Sequence, residues 1–142
     1  MAALREQILA TVAAVLTGTT GAGQNVFRAR ETSVTRAQTP AITVLFAGEQ
    51  TQRLGQATLR HELTVQIAIF VRGDPWDQLA TAVDEQVHRL LASSAPLAAL
   101  LSDQVRLSAD PESEEADRTA GALNVHYRMT YLTRVGDIAL VP

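Results

Sequence analysis

The stretch ATLRHELTVQIAIFVRGDPW, residues 57–76, decides the fold. Within it Leu59, His61, Leu63, Val65, Ile67, Ile69 and Val71 alternate with Thr58, Arg60, Glu62, Thr64, Gln66, Ala68, Phe70 and Arg72. A period of two sends successive side chains to opposite faces of an extended chain, so this is a long strand with one apolar and one mainly polar face. Gly73 breaks it. Asp74 and Pro75 then read as a helix start, with Asp accepting free amide hydrogens at the cap, Pro in the first helical position and Asp77 in a favourable first turn. Trp76, Leu79, Ala80, Val83, Val87, Leu90 and Leu91 follow at helical spacing through about residue 92.

Working outward, residues 3–17 carry Leu4, Ile8, Val12, Val15 and Leu16 on one stripe, a second amphipathic helix. It stops at Gly18, and GTTGAGQN at 18–25 reads as a flexible connection. VFR at 26–28 begins an edge strand, and the polar stretch holding Arg28, Arg30, Glu31 and Arg36 is a solvated loop ending at Thr39 and Pro40. AITVLFA at 41–47 is a well-buried strand bounded by Gly48. Beyond the central helix, PLAALL at 96–101 adds one apolar turn. QVRLSA at 104–109 and ALNVHYRMTYLTR at 122–134 then form a hairpin across the acidic connection DPESEEADRTAG. On its last strand Leu123, Val125, Tyr127, Met129 and Tyr131 point inward.

The expected fold is therefore α+β: a mixed, largely antiparallel sheet of four to five strands with two main helices on one face. Two helices about 10 Å across cover roughly 20 Å, and four or five strands at about 4.8 Å span roughly 19 to 24 Å. The helices suffice for one face only. The other, with Arg60, Glu62, Gln66, His126, Arg128 and Thr130, is left for water or another subunit.

A chain of 142 residues suits a single domain spanning 1–142. It has 46% hydrophobic residues and a formal charge of −3, enough for a core and the wrong sign for a nucleic-acid footprint. All 12 basic residues are Arg, scattered along the chain, a pattern that GC-rich codon usage explains better than phosphate recognition. Without Lys there is no Schiff-base chemistry, and without Cys no disulfide, thiolate nucleophile or sulfur-ligated zinc. No apolar run reaches a membrane-spanning length, and Arg5 and Glu6 interrupt the place of a signal peptide's apolar stretch, which argues for synthesis and residence in the cytosol.

Chemical motifs fail on inspection. Gly18 and Gly23 have the separation of a phosphate-loop pair, but Gln24 and Asn25 replace the Lys and hydroxyl residue, and the loop follows a helix. His61-Glu62 begins like a zinc-protease signature, yet Val65 stands where the second His belongs. His61, His88 and His126 lie on different elements without ligand spacing, and no serine sits in a nucleophile elbow. No catalytic residue, cofactor or metal site is expected. The acidic group Asp110, Glu112, Glu114, Glu115 and Asp117 reads first as a solvated hairpin tip and second as a protein contact. Arg28, Arg30 and Arg36 divide the same way, and the two loops have opposite signs, which would suit head-to-tail subunits.

The phrases MAALREQILATVAAVLTG, VFRAR, PAITVLFAGEQ, LRHELTVQIAIFVRGD, WDQLATAVDEQVHRLL and ALNVHYRMTYLTRVGD together resemble the tail terminator proteins of long-tailed bacteriophages, related in design to the lambda minor tail protein U group. The resemblance covers nearly the whole chain and rests on element order. It implies a non-enzymatic virion protein at the head-proximal end of the tail, assembled in the host cytoplasm. Six copies would form a ring that stops addition of tail tube protein and meets the head-tail connector, with genomic DNA only passing through the lumen. Six chains of charge −3 total −18, which suits passage without capture. A tail completion or head-tail joining role, a small-molecule enzyme and a monomeric binding module are the alternatives. The candidate subunit or partner interface comprises Arg28, Arg30, Arg36, Arg60, Glu62, Gln66, Glu112, Glu114, Glu115 and Arg128.

Overall fold

In the computed structural model, which describes residues 2–28, 39–114 and 117–142, the elements run α1 (Leu4–Leu16), β1 (Val26–Arg28), β2 (Ala41–Leu54), β3 (Thr58–Arg72), α2 (Trp76–Ser93), α3 (Ala95–Ala98), β4 (Asp103–Glu114) and β5 (Asp117–Arg134). The five strands form one sheet in the order β1-β2-β3-β5-β4, with β1 parallel to β2 and every other pair antiparallel. The helices pack on one face, and the expected α+β architecture is the observed one.

The period-two stretch is β3, the middle strand. Its Leu63, Val65, Ile67 and Ile69 are fully buried and join Ile8, Val12 and Leu16 of α1, Val87 and Leu91 of α2, and Val125, Tyr127 and Met129 of β5 in one core. Along α1 the buried stripe includes Leu9, while Val15 is only half-buried. On α2 the charged Asp84 takes a buried place between Val83 and Val87. Leu79 is 43% exposed. It lies over Gly73, where a Cβ would stand 2.5 Å from its Cδ1.

Four local expectations need correction. β2 does not end at Gly48: a bulge between Phe46 and Glu49 absorbs that residue at φ +129°, and pairing with β3 continues to Leu54. The acidic connection is largely strand, because β4 and β5 pair through Ser113↔Gly121, and carboxylates such as those of Asp110 and Glu112 stay solvated on an edge strand. Asp74 does not cap α2. Pro75 occupies the cap position without a side-chain bond, and Asp77 accepts from its own neighbour Gln78 N instead. The Gly18–Asn25 connection closes on itself. Gly18 N donates to Gly23 O (2.7 Å), and Gly21 N donates to Gln86 Oε1 on α2 (2.8 Å), fixing the loop to the second helix.

Candidate functional site

The sheet face away from the helices carries the expected polar series. Register places Glu62 opposite Thr130, Thr64 opposite Arg128 and Gln66 opposite His126 on the two central strands. Gln66 Nε2 donates to Asn124 Oδ1 (3.0 Å), and Asn124 Nδ2 donates to Glu112 Oε2 (3.4 Å). Three strands are thus tied by one chain of hydrogen bonds, which brings Gln66 and Glu112 together. Arg60 donates to Gln52 on β2. The side chains of Glu62 and Arg128, diagonal neighbours and both half-buried, make no hydrogen bond or ion pair with another described residue.

Two bulges shape this face. The bulge in β2 lies opposite Thr64, and β4 bulges between Arg106 and Ser108, almost level with it on the other side. Between them runs a trough of about 420 Å³ lined by Ala47, Gly48, Glu49, Gln50, Glu62, Thr64, Arg128 and Leu107 of the second bulge. Bulges re-aim side chains, and Leu107 is left 47% exposed. The face is not bare along its whole length: toward Phe70, the small side chains of Ala41, Thr43, Ala68 and Ala122 are buried.

The charged loops separate to opposite edges. A single ladder row runs Arg28, Val44, Ile67, Val125, Ala109, with Arg28 on edge strand β1 and Asp110 and Glu112 next along edge strand β4. Arg28 is not a free cation, since its Nη1 lies 2.9 Å from Glu6 Oε1 on α1. Glu114 ends β4. Arg30, Arg36 and Glu115 lie outside the described residues.

Two polar networks on the helix face have no signal in the local sequence. In the first, Glu49 of the β2 bulge accepts from Arg5 Nη1 of α1 (3.0 Å) and from Tyr131 Oη of β5. His61 stacks on Tyr131 with ring centroids 4.6 Å apart. Its Nδ1 is 2.9 Å from Thr51 Oγ1 and its Nε2 is 2.7 Å from Thr133 Oγ1. Burial pushes the His61 pKa down, with Glu49 opposing the shift and Arg5 adding to it. Both ring nitrogens are committed to threonine hydroxyls, so the group clamps the start of α1 to the sheet and offers no atom to a substrate. Burial likewise holds the Tyr131 hydroxyl above its ordinary range, assisted by Glu49.

In the second network Arg106 of β4 forms a two-pronged pair with Asp84 of α2, at 2.8 Å and 2.6 Å, and a further bond to Tyr127 Oη at 3.3 Å. His88 Nδ1 approaches the same hydroxyl at 3.2 Å. His88, Arg106 and Tyr127 border a cleft of about 330 Å³ between α2, α3 and β4, lined also by Leu91 and Leu101. Among the described residues no group of three or more His, Cys, Asp or Glu side chains could hold a metal ion. No described helix is long and apolar enough to cross a membrane.

The family described as phage minor tail protein U matches residues 2–131. Among solved structures, a chain from the virion of a native gene transfer agent (GTA) particle is similar, with 14% identity, 92% of each chain covered and a TM-score of 0.41. No curated protein matches.

Proposed function

The chain belongs to the phage minor tail protein U family, structural components of phage tails, and from that premise we propose that it is a tail terminator. Six copies form a ring on the head-proximal end of the tail tube, stop further addition of tube protein and present a surface to the head-tail connector. The ring assembles in the host cytoplasm and remains in the virion, with genomic DNA passing through its lumen. The observation that carries this reading is the family match across residues 2–131.

A ring requires two unlike patches that meet head to tail. Edge strands β1, ending at Arg28, and β4, carrying Glu112, lie at opposite sides of the sheet, and the charged runs next to them in sequence, Arg30 and Arg36 on one side and Glu114 and Glu115 on the other, are the candidate patches of opposite sign. Arg60, Glu62, Gln66 and Arg128 then border a neighbour on the outer face. Deletion of the gene in its phage, followed by imaging of tails, tests the proposal. Over-long, headless tails are expected. Tails of normal length that fail to join heads assign the joining role instead, and infectious particles of normal form reject both.

A further inference from the structure

We propose that successive copies of this chain lock together by a knob and a hole on the helix side of the sheet: Phe46 of one copy, with Arg5 laid over it, enters the cleft between α2, α3 and β4 of the next. The proposal rests on the head-to-tail ring proposed above and names side chains that join it.

Strand register carries the first part of the argument. Phe46, Val65, Tyr127 and Arg106 form one row across β2, β3, β5 and β4, and Glu49, Leu63, Met129 and Gln104 form the next row on the same face. The middle of both rows is core. At one end β1 has stopped, its last pair being Arg28↔Val44, so no described strand pairs with β2 on that side of Phe46. Phe46 is 47% exposed there, with the Arg5 guanidinium 4.7 Å from its ring centroid. At the other end lies the cleft of about 330 Å³, lined by Arg106 and Gln104. A shift of one copy along the rows brings knob to hole, and because the two patches are unlike, the contact repeats head to tail.

Chemical complementarity carries the second. In the cleft, His88 stacks on Tyr127 with ring centroids 6.1 Å apart, the Arg106 guanidinium lies 5.9 Å from the same Tyr127 ring, and Leu91 and Leu101 supply apolar wall. Asp84 already neutralises Arg106, so the guanidinium offers an incoming ring a flat surface to stack on. A phenylalanine entering such a site buries about 150–250 Å². Asp103, also in the lining, is exposed, and its side chain makes no hydrogen bond or ion pair with another described residue. It adjoins Gln104 at one end of the Glu49 row, and Arg5 is bonded to Glu49 at the other (3.0 Å). The same shift therefore brings the Asp103 carboxylate to Arg5, whose side chain is 37% exposed.

The test is photo-cross-linking in assembled phage tails. The photoreactive residue p-benzoylphenylalanine in place of Phe46 keeps an aromatic ring at that position, and mass spectrometry after irradiation identifies what it touches. Cross-links from residue 46 of one copy to residues 88–106 of another are expected, giving a ladder of multimers on denaturing gels. Cross-links to tube protein, to the connector or between two copies of residue 46 overturn the proposal, and so does the absence of cross-linked copies. Phe46→Ala removes the knob and Ala92→Trp fills the hole. Both positions are exposed, so circular dichroism of the purified chains should be unchanged. Each variant should lower the yield of infectious particles about tenfold or more and lengthen the tails; normal yield with Phe46→Ala overturns the proposal. The premise is read separately by deletion of the gene. Over-long tails on deletion without the expected cross-link keep the terminator and remove this contact, whereas the cross-link in a phage whose deletion leaves tail length normal keeps the contact and removes the terminator role.

Discussion

The indole of Trp76 packs against Gly121, so closely that a Cβ at position 121 would stand 2.4 Å from ring carbons Cδ2 and Cε3. Gly121 lies in β5 opposite Val71 of β3, and Trp76 is the first residue of α2. The missing side chain is what lets the helix start settle on the sheet. Gly121→Ala is therefore expected to destabilise the fold by about 1–3 kcal/mol through overpacking. Because Trp76 is the only tryptophan, its fluorescence during urea unfolding reports the loss, and its folded-state emission should move as the ring is displaced. Adding Trp76→Leu, followed by circular dichroism because the fluorophore is gone, should recover part of the lost stability; no recovery would place the strain elsewhere.

Asp84 and Arg106 form the tightest charged pair joining α2 to the sheet, with side chains 12% and 31% exposed. Replacing one partner strands the other in a partly buried site. Asp84→Ala should lower the unfolding free energy by about 2 kcal/mol. Asp84→Leu combined with Arg106→Met should cost much less than the two single changes together, since apolar groups can fill the same space. Urea denaturation of the four chains closes the cycle, and additive losses would show that the pair is not coupled.

This pair also marks where the sequence stops being legible. Asp84 sits among Val83 and Val87 on an otherwise apolar stripe, and its partner lies 22 residues away on a strand facing the same interior. Periodicity finds the stripe and cannot find the partner. β3 and α2 were readable because burial alternates along them in step with local geometry: Leu63, Val65 and Ile67 face the core as their spacing demands. The bulge at Gly48 was not, because it depends on how β2 registers against β3 on either side of it. The same holds for the outer face. Alternation placed Glu62 and Arg128 on it, whereas the trough between them exists only because two different strands bulge at nearly one level. The acidic run reads as loop from charge repulsion alone, and the ladder that β5 supplies makes it strand.

His61 gives the fold a pH dependence with a defined direction. Its folded pKa lies below the ordinary value of 6.5 because burial disfavours the imidazolium. Between that lowered value and 6.5 the unfolded chain binds more protons than the folded one, so stability rises with pH across this window. The contribution is complete above about pH 6.5 and declines as pH falls toward the folded pKa. Urea unfolding of the wild-type chain and His61→Gln from pH 5 to 8 isolates the effect. The wild-type advantage should shrink on acidification below about pH 6.5, and an advantage that grows there would reverse the assignment.

Edge strand β4 is 12 residues long, and a strand of that length with a free edge is a template for unwanted pairing. It is blunted three ways: Pro111 has no amide hydrogen to donate, the Leu107 bulge interrupts the regular pleat, and Asp110 and Glu112 place carboxylates beside it. Pro111→Val restores a donor and a β-forming side chain while leaving the pairing with Leu123 in place. The folded monomer should keep its stability within about 1 kcal/mol, yet the chain should self-associate into larger species on standing. Light scattering over time follows the growth of these species. If Pro111→Val stays as disperse as the wild-type chain, the bulge and the carboxylates are sufficient protection by themselves, and Asp110→Val in the same background should then release the edge.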